Sequence, residues 1–244
     1  MTKITAVANN YFQFKQFTIH QDKCAMKVCT DACLFGAFVA TTFENKPLFN
    51  ILDIGAGTGL LSLMLAQKTS TAIDAVEIEA DAYEQAEENI LQSPWKEKIN
   101  IFNAGIADFY PDHKYNLIIS NPPFFEDDLP STDKKKNAAK HNTTLTLQEL
   151  LNNIDRLLNE AGNFAVLLPH HRVDYFIEKS EAKGFYLSNK LLVKQTTTHR
   201  FFRGLLIFSR KESNIITAEI SIKNAAGIYT GEFINLLKDY YLNL

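Results

Sequence analysis

No stretch of this chain is apolar for long enough to cross a bilayer, which takes about 20 residues, and its start lacks the basic-then-apolar pattern of a secretory leader. A cytoplasmic protein is therefore expected. Cysteine is scarce: Cys24, Cys29 and Cys33 are the only three, and an odd count excludes a disulfide framework. With His20 they read His-x3-Cys-x4-Cys-x3-Cys, but the Cys-x2-Cys pairing of a zinc site is missing and the neighbours are apolar. Small buried thiols and no metal are the expectation. Charge of one sign is lacking too. Lys and Arg number 25 against 28 Asp and Glu, a net charge of −3, so the molecule as a whole exerts no pull on a polyanion. Internal repeats are absent, as is any linker that would divide the chain, and a monomer is the expected form.

What is present is a regular alternation of strand and helix. With 46% apolar residues over 244 positions, the chain can bury a substantial core. Residues 1–48 read as an N-terminal lead-in that packs on the cofactor side, with Phe12, Phe14 and Phe17 in alternation and an apolar helix over about 32–43. From residue 49 onward strands are expected at 49–54, 72–77, 99–103, 115–120, 163–168, 185–194 and 204–209. Helices are expected between them, at 60–67, 80–91, 146–158 and 173–183. The fold class is α/β: a seven-stranded, mostly parallel sheet with an antiparallel last hairpin and helices on both faces. Residues 49–244 form its main body. A further alternation at 216–222 and an aromatic, helical stretch at 233–241 close the chain.

Two motifs carry chemistry. Asp53-Ile54-Gly55-Ala56-Gly57-Thr58-Gly59 follows the first strand of that body. A nicotinamide fingerprint would read Gly-x-Gly-x-x-Gly; the tighter spacing here, with an acid two residues before the first glycine, favours S-adenosylmethionine instead. Glu77 ends the second strand, where a carboxylate faces the ribose of a nucleoside held by the first loop. Asn121-Pro122-Pro123-Phe124 ends the apolar run Leu117-Ile118-Ile119-Ser120. It is a rigid clamp for a planar NH2 group: the Asn121 side-chain oxygen and the Pro122 carbonyl accept the two N–H hydrogens, and Phe124 offers a face for stacking. Methyl transfer to an amino or amide nitrogen follows from the pair.

Basic residues cluster after several strand ends despite the neutral whole. They include Lys134, Lys135, Lys136, Lys140 and His141 after the clamp, and Arg172, Arg200 and Arg203 further on, with Lys190, Lys194, His199, Arg210 and Lys211 nearby in sequence. Such a rim can hold RNA phosphates while the clamp takes the base. The polar stretch 125–145 follows the clamp directly and is expected to be a substrate-ordered loop.

Together, Asp-x-Gly-x-Gly-x-Gly, the acid ending strand two and Asn-Pro-Pro-aromatic resemble the Rossmann-like class I amino-methyltransferases. The run from Phe17 through Asp22, Cys24, Met26, Lys27, Thr30, Asp31 and Leu34 to Ala37 narrows the likeness. So do His141-Asn142-Thr143-Thr144-Leu145 and the closing Phe233-x-x-Leu236-x-x-Asp239-Tyr240-Tyr241-Leu242. These resemble bacterial tRNA1(Val) adenine-N6 methyltransferases. The resemblance implies N6-methylation of the adenosine 3′ of the anticodon. It also implies that Asp53, Gly55, Gly57, Gly59, Glu77, Lys27, Thr30 and Asp31 surround the methyl donor, and that Asn121, Pro122 and Phe124 grip the target adenine. The family carries an Asp after strand three where this chain has Gly105; the backbone of Gly105 and Ile106 is expected to serve the cofactor's adenine, with Asp108 the alternative. Glutamine methylation of a protein fits the same clamp, but 48 leading residues leave no room for the helical domain such enzymes carry. An rRNA guanine-N2 methyltransferase would have two tandem domains, and a nicotinamide oxidoreductase would show a Tyr-x-x-x-Lys pair. A cofactor-binding RNA chaperone would not need an intact clamp.

Overall fold

The computed structural model describes residues 9–123 and 145–244. A two-stranded antiparallel hairpin, β1 (Tyr11–Gln13) and β2 (Thr18–His20), leads into α1 (Thr30–Phe43). Strands β3 (Asn50–Ile54), β4 (Ala72–Glu77), β5 (Ile99–Asn103) and β6 (Tyr115–Ser120) then build a parallel sheet, with α2 (Leu60–Ala66) and α3 (Ala80–Leu91) between them. After α4 (Leu147–Leu157), β7 (Leu158–Pro169) joins in parallel. Helix α5 (Val173–Glu181) leads to β8 (Tyr186–Thr196) and β9 (Phe201–Ser209), and β9 inserts antiparallel between β7 and β8. The expected antiparallel hairpin is thus present.

An eighth strand, β10 (Ile216–Lys223), lies parallel to β8 at the edge, so the order is β10-β8-β9-β7-β6-β3-β4-β5. It is the alternation seen at 216–222. Helix α6 (Gly231–Leu237) follows, starting two residues before the expected stretch and stopping four residues short of its end.

The period of two that strands impose on side chains divides the core in two. Ile51, Leu117, Ile119, Ala165, Leu167, Leu205 and Ile207 pack on one face with α1, α2, α3 and α6. Their neighbours Leu52, Ile118, Phe164, Val166, Leu206 and Phe208 pack on the other face with α4 and α5. Burial on both faces explains why β3 and β6 read as continuous apolar runs. Helix α1 is buried at ten of its residues, Asp31 among them, which suits an element apolar nearly all round. Helix α4 is amphipathic and carries the expected capping box: Thr146 Oγ1 accepts from Glu149 N–H at 3.2 Å, and Glu149 Oε2 accepts from Thr146 N–H at 2.9 Å.

Strand β7 begins five residues before its expected start. Tyr115 pairs with Leu158 but Leu117 with Asn163, so residues 159–162 are looped out of register. Gly162 sits in that bulge, where a Cβ would lie 2.8 Å from the Leu158 side chain and 3.0 Å from the Asn159 carbonyl oxygen. The glycine marks a bulge within the strand, not a break before it.

Candidate active site

The chain runs from β3 outward to β4 and β5 and then returns to β6 on the other side of β3. The carboxyl ends of β3 and β6 therefore flank the switch in strand order, the crevice in which open α/β sheets bind ligands. Ile54 and Ser120 are register partners and Ser120 Oγ donates to the Ile54 carbonyl at 2.9 Å, so Gly55 and Asn121 leave adjacent strands side by side.

The glycine loop is shaped by backbone torsion. Gly55, Gly57 and Gly59 have φ of +74°, +56° and +79°, the left-handed region that side chains disfavour. Around the Cβ positions of Gly55 and Gly57 nothing lies within 4 Å, so a ligand can approach the main chain there. The loop is pinned from behind: the N–H groups of Gly55 and Ala56 donate to the Val76 carbonyl at 2.9 and 3.1 Å. Glu77 takes part as well. Its Oε2 accepts from Gly57 N–H at 2.8 Å and its Oε1 from Glu79 N–H at 2.9 Å. Each carboxylate oxygen keeps a second lone pair, so the acid can brace the loop and still receive hydroxyls.

Asp53 is fully buried, under the loop and not on its open face. Its Oδ2 accepts from the Ser62 N–H at 3.1 Å and from Ser62 Oγ at 2.7 Å, tying the strand end to the first turn of α2. Burial pushes its carboxyl up to about 7; the two Ser62 donors pull the other way and the nearby Glu77 charge adds to the rise.

Asn121 presents the clearest opening for a ligand. Its Oδ1 is buried and has no hydrogen-bond partner among the described residues. An unpaired buried acceptor costs about 1–3 kcal/mol, a penalty that an incoming N–H donor lifts. Pro122 beside it is buried. Phe124, Lys134, Lys135, Lys136, Lys140 and His141 lie outside the described residues.

At the far side of the crevice, Gly105 opens a 3-10 turn over Ile106–Asp108. A Cβ on Gly105 would meet Ile78 Cδ1 at 3.3 Å and Asp108 Oδ2 at 3.6 Å, so the Asp108 carboxylate stands beside it. Arg156 holds the turn from behind, donating to the carbonyls of Ile106 and Phe109 at 2.8 and 2.9 Å. Ile78 escaped the sequence reading. It is half exposed although it follows Glu77 directly and touches the Gly105 position, which gives the crevice an apolar wall. A large aliphatic residue between two acids, Glu77-Ile78-Glu79, was the available signal.

Over the N-terminal residues, the expected ligand roles meet other partners. Lys27 Nζ donates to the Gln21 carbonyl. Thr30 begins α1. Asp31, expected at the cofactor, accepts from Arg203 Nε at 2.6 Å, and Arg203 was expected at RNA, so the two are joined to each other. Cys24 and Cys33 are buried, which pushes their thiols up to about 11 and about 12; Cys29, exposed at its surface, is likewise pushed up to about 12 by desolvation and by the Asp31 carboxylate.

Three buried carboxamides that pattern reading passed over hold this segment against the loop. Asn89 accepts from His20 N–H at 2.8 Å and donates to the carbonyls of His20 and Thr58 at 2.8 and 2.9 Å. Gln85 accepts from Lys23 N–H at 3.0 Å, and Gln21 from Val28 N–H at 2.7 Å. Only their spacing on α3, Gln85 and Asn89 four apart on the face that also buries Ala86 and Ile90, hinted at this.

The basic groups separate into two places. The end of β7, the β8–β9 turn and the start of β9 share the carboxyl edge with the crevice, and Arg172, Arg200 and Arg203 stand there. Arg210 and Lys211 follow Ser209, which pairs with Asn163 and Tyr186 at the opposite edge, and Arg210 is bound to Asp155 at 2.7 Å. An antiparallel last strand carries its two ends to opposite edges, so nearness in sequence was misleading.

The sheet order and this crevice are those of the class I S-adenosylmethionine-dependent methyltransferases. An Agrobacterium tumefaciens protein described as a predicted O-methyltransferase superposes with a TM-score of 0.64 at 16% identity, over 88% of this chain and all of that one. The S-adenosylmethionine-bound magnesium protoporphyrin IX methyltransferase of Synechocystis superposes with 0.53 at 14% identity, over 75% of this chain and 79% of that one. A family model described as methyltransferase small domain matches residues 35–176. The tRNA1(Val) (adenine(37)-N6)-methyltransferase of Dyadobacter fermentans is 45% identical over 239 residues, covering 96% of this chain and 98% of that protein. The chain belongs to the methyltransferase small domain family and, within it, to the family of tRNA1(Val) (adenine(37)-N6)-methyltransferases.

Proposed function

We propose that this protein transfers a methyl group from S-adenosylmethionine to N6 of an adenosine in tRNA, the one 3′ of the anticodon in tRNA1(Val). The observation that carries the reading is the buried Asn121 Oδ1, with no partner among the described residues, at the mouth of a glycine loop with open space before it. The donor set fits the cofactor. Gly55 and Gly57 admit its methionine part, Glu77 can receive the ribose hydroxyls, Ile78 offers an apolar wall to its adenine, and Gly105 and Ile106 supply backbone at the ring edge. Asp53 acts one layer back, setting the loop through Ser62.

When bound, the cofactor supplies an electrophilic methyl on a positive sulfonium. The residues do the rest by orientation. Asn121 Oδ1 accepts one N6 hydrogen and the Pro122 carbonyl the other, which turns the nitrogen lone pair toward the methyl. As positive charge develops on nitrogen these acceptors strengthen, so they favour the transition state over the bound base. Phe124 takes the stacking role expected from the sequence. Residues 9–48 of the N-terminal segment form the wall over the cofactor side of the single domain 49–244, held there through His20 and Asn89. Arg172 and Arg200 serve the RNA backbone; Arg203 acts through Asp31. Among the described residues no helix is long and apolar enough to cross a membrane. A tRNA substrate supports a cytoplasmic enzyme, and among the described residues no group of three or more His, Cys, Asp or Glu is placed to hold a metal ion.

The test is incubation with labelled S-adenosylmethionine and tRNA lacking the modification, followed by digestion to nucleosides. Label in N6-methyladenosine, lost in Asn121→Ala while cofactor affinity stays near wild type, is the expected result. Near-normal turnover in Asn121→Ala would overturn the clamp, and label in a protein fraction would move the activity to glutamine.

A further inference from the structure

We infer that the carboxyl rim of β7 and β9 holds a second nucleotide subsite, in which an RNA base stacks on His170. The inference rests on the tRNA reading and adds to it a position away from the clamp. His170 is exposed and lies on Phe201, ring centroids 5.5 Å apart and planes 28° from parallel. Lys194, the cross-strand partner of Phe201, stands 4.3 Å from the Phe201 centroid and 3.2 Å from Glu219. Two residues beyond His170, the Arg172 guanidinium covers Tyr175 at 4.7 Å, with Tyr175 itself 42% exposed.

The site is placed by register. Ser120 pairs with Val166, so Asn121 stands level with Leu167, and His170 follows three residues later on the adjacent chain. At 3.3 Å per residue that is roughly 10 Å beyond the clamp, on the same edge. A base flanking the extruded adenosine is within reach of that distance.

The chemistry suits a base better than an isolated phosphate. A single-stranded base extends a stack that already has two rings, the lower one half-buried and the upper one facing solvent. Every base has a π face, so this contact holds the loop without reading its sequence. Arg172 and Arg200 then lie at the margin for the backbone on either side. The anticodon loop is single-stranded, the RNA form whose bases splay onto aromatic surfaces.

Filter binding of the full-length protein to tRNA1(Val) transcript across a salt titration, with cofactor affinity measured in parallel, decides the matter. His170→Ala is expected to weaken tRNA binding about tenfold, the loss of one stacked base. The weakening should be the same at every salt concentration, with cofactor affinity unchanged, and His170→Phe should restore binding. An unchanged tRNA affinity in His170→Ala overturns the subsite. So does a loss that flattens the salt dependence and is not restored by His170→Phe, since that marks a phosphate contact. If the unaltered protein binds no tRNA, the tRNA reading itself falls; tight wild-type binding with an indifferent His170 removes the subsite alone.

Discussion

Asn89 is 1% exposed and meets the glycine loop from behind, at the Thr58 carbonyl, so its replacement should weaken the cofactor site. Asn89→Leu keeps the branched shape of the side chain and removes three hydrogen bonds of 2.8, 2.8 and 2.9 Å. At about 1 kcal/mol net for each, the fold loses about 3 kcal/mol. The His20 groups, in a half-buried segment, can recover water in part. The Thr58 carbonyl is buried and cannot, so its share persists in the folded protein. Thr58 stands between Gly57 and Gly59, whose left-handed torsions must be held against the loop's other conformers. Freeing one anchor worth about 1 kcal/mol corresponds to about fivefold weaker cofactor binding. Chemical denaturation should show the loss of about 3 kcal/mol, and calorimetric titration the rise of about fivefold in Kd for S-adenosylmethionine. With both substrates saturating, kcat should stay within about twofold, because Asn89 touches neither reacting atom. A variant that loses stability but binds the cofactor as tightly as before would refute the coupling and leave Asn89 a plain structural residue.

Asp53→Asn tests the buried acid. A carboxyl raised from 3.8 to about 7 contributes stability that is fully present below pH 4 and is lost as pH rises through 7. Roughly 4 kcal/mol of pH dependence over that window follows from about 1.36 kcal/mol per unit. The Asn variant should flatten the stability profile between pH 4 and 7, and an unchanged profile in denaturant titrations would exclude Asp53 as its source. Gly57→Ala places a Cβ at φ +56°, at a cost of about 1–2 kcal/mol. Its new methyl group enters the space before the loop, so cofactor Kd should rise beyond what the stability loss predicts; unaltered affinity would mean that the ligand does not approach there.

The sheet was legible because its strands are buried on both faces and must be apolar throughout. The alternation of Ile51 with Leu52 and of Ile118 with Ile119 between two cores is the physical content of that pattern. The Gly55–Gly59 loop was legible because left-handed backbone needs glycine, and the Thr146–Glu149 cap because its residue types have few other uses. The bulge at Gly162 and the edge strand β10 were less so. A bulge is set by the partner strand's register, and an edge strand with Ile216, Thr217, Ala218 and Glu219 exposed shows a weak burial signal.

The site divides along the same line. Residues proposed to face the ligand with backbone or acceptor atoms carry motifs, and the chain reversal at β3 and β6 gathers them. Residues that act on those motifs from behind do not. Asn89 and Gln85 look like ordinary helix polar residues until α3 is laid beside β2, and only then does a bidentate amide appear between two segments far apart in sequence. The pairing of Asp31 with Arg203 has the same origin: 172 positions separate them, and the contact exists only because β9 brings its first residues back to the crevice edge beside α1. Arg203, counted toward RNA by its neighbours in sequence, is ion-paired with Asp31 at the start of α1. The crevice is thus lined by local motifs and held in shape by long-range polar contacts, so substitutions in the second group should alter cofactor affinity before they alter the chemical step.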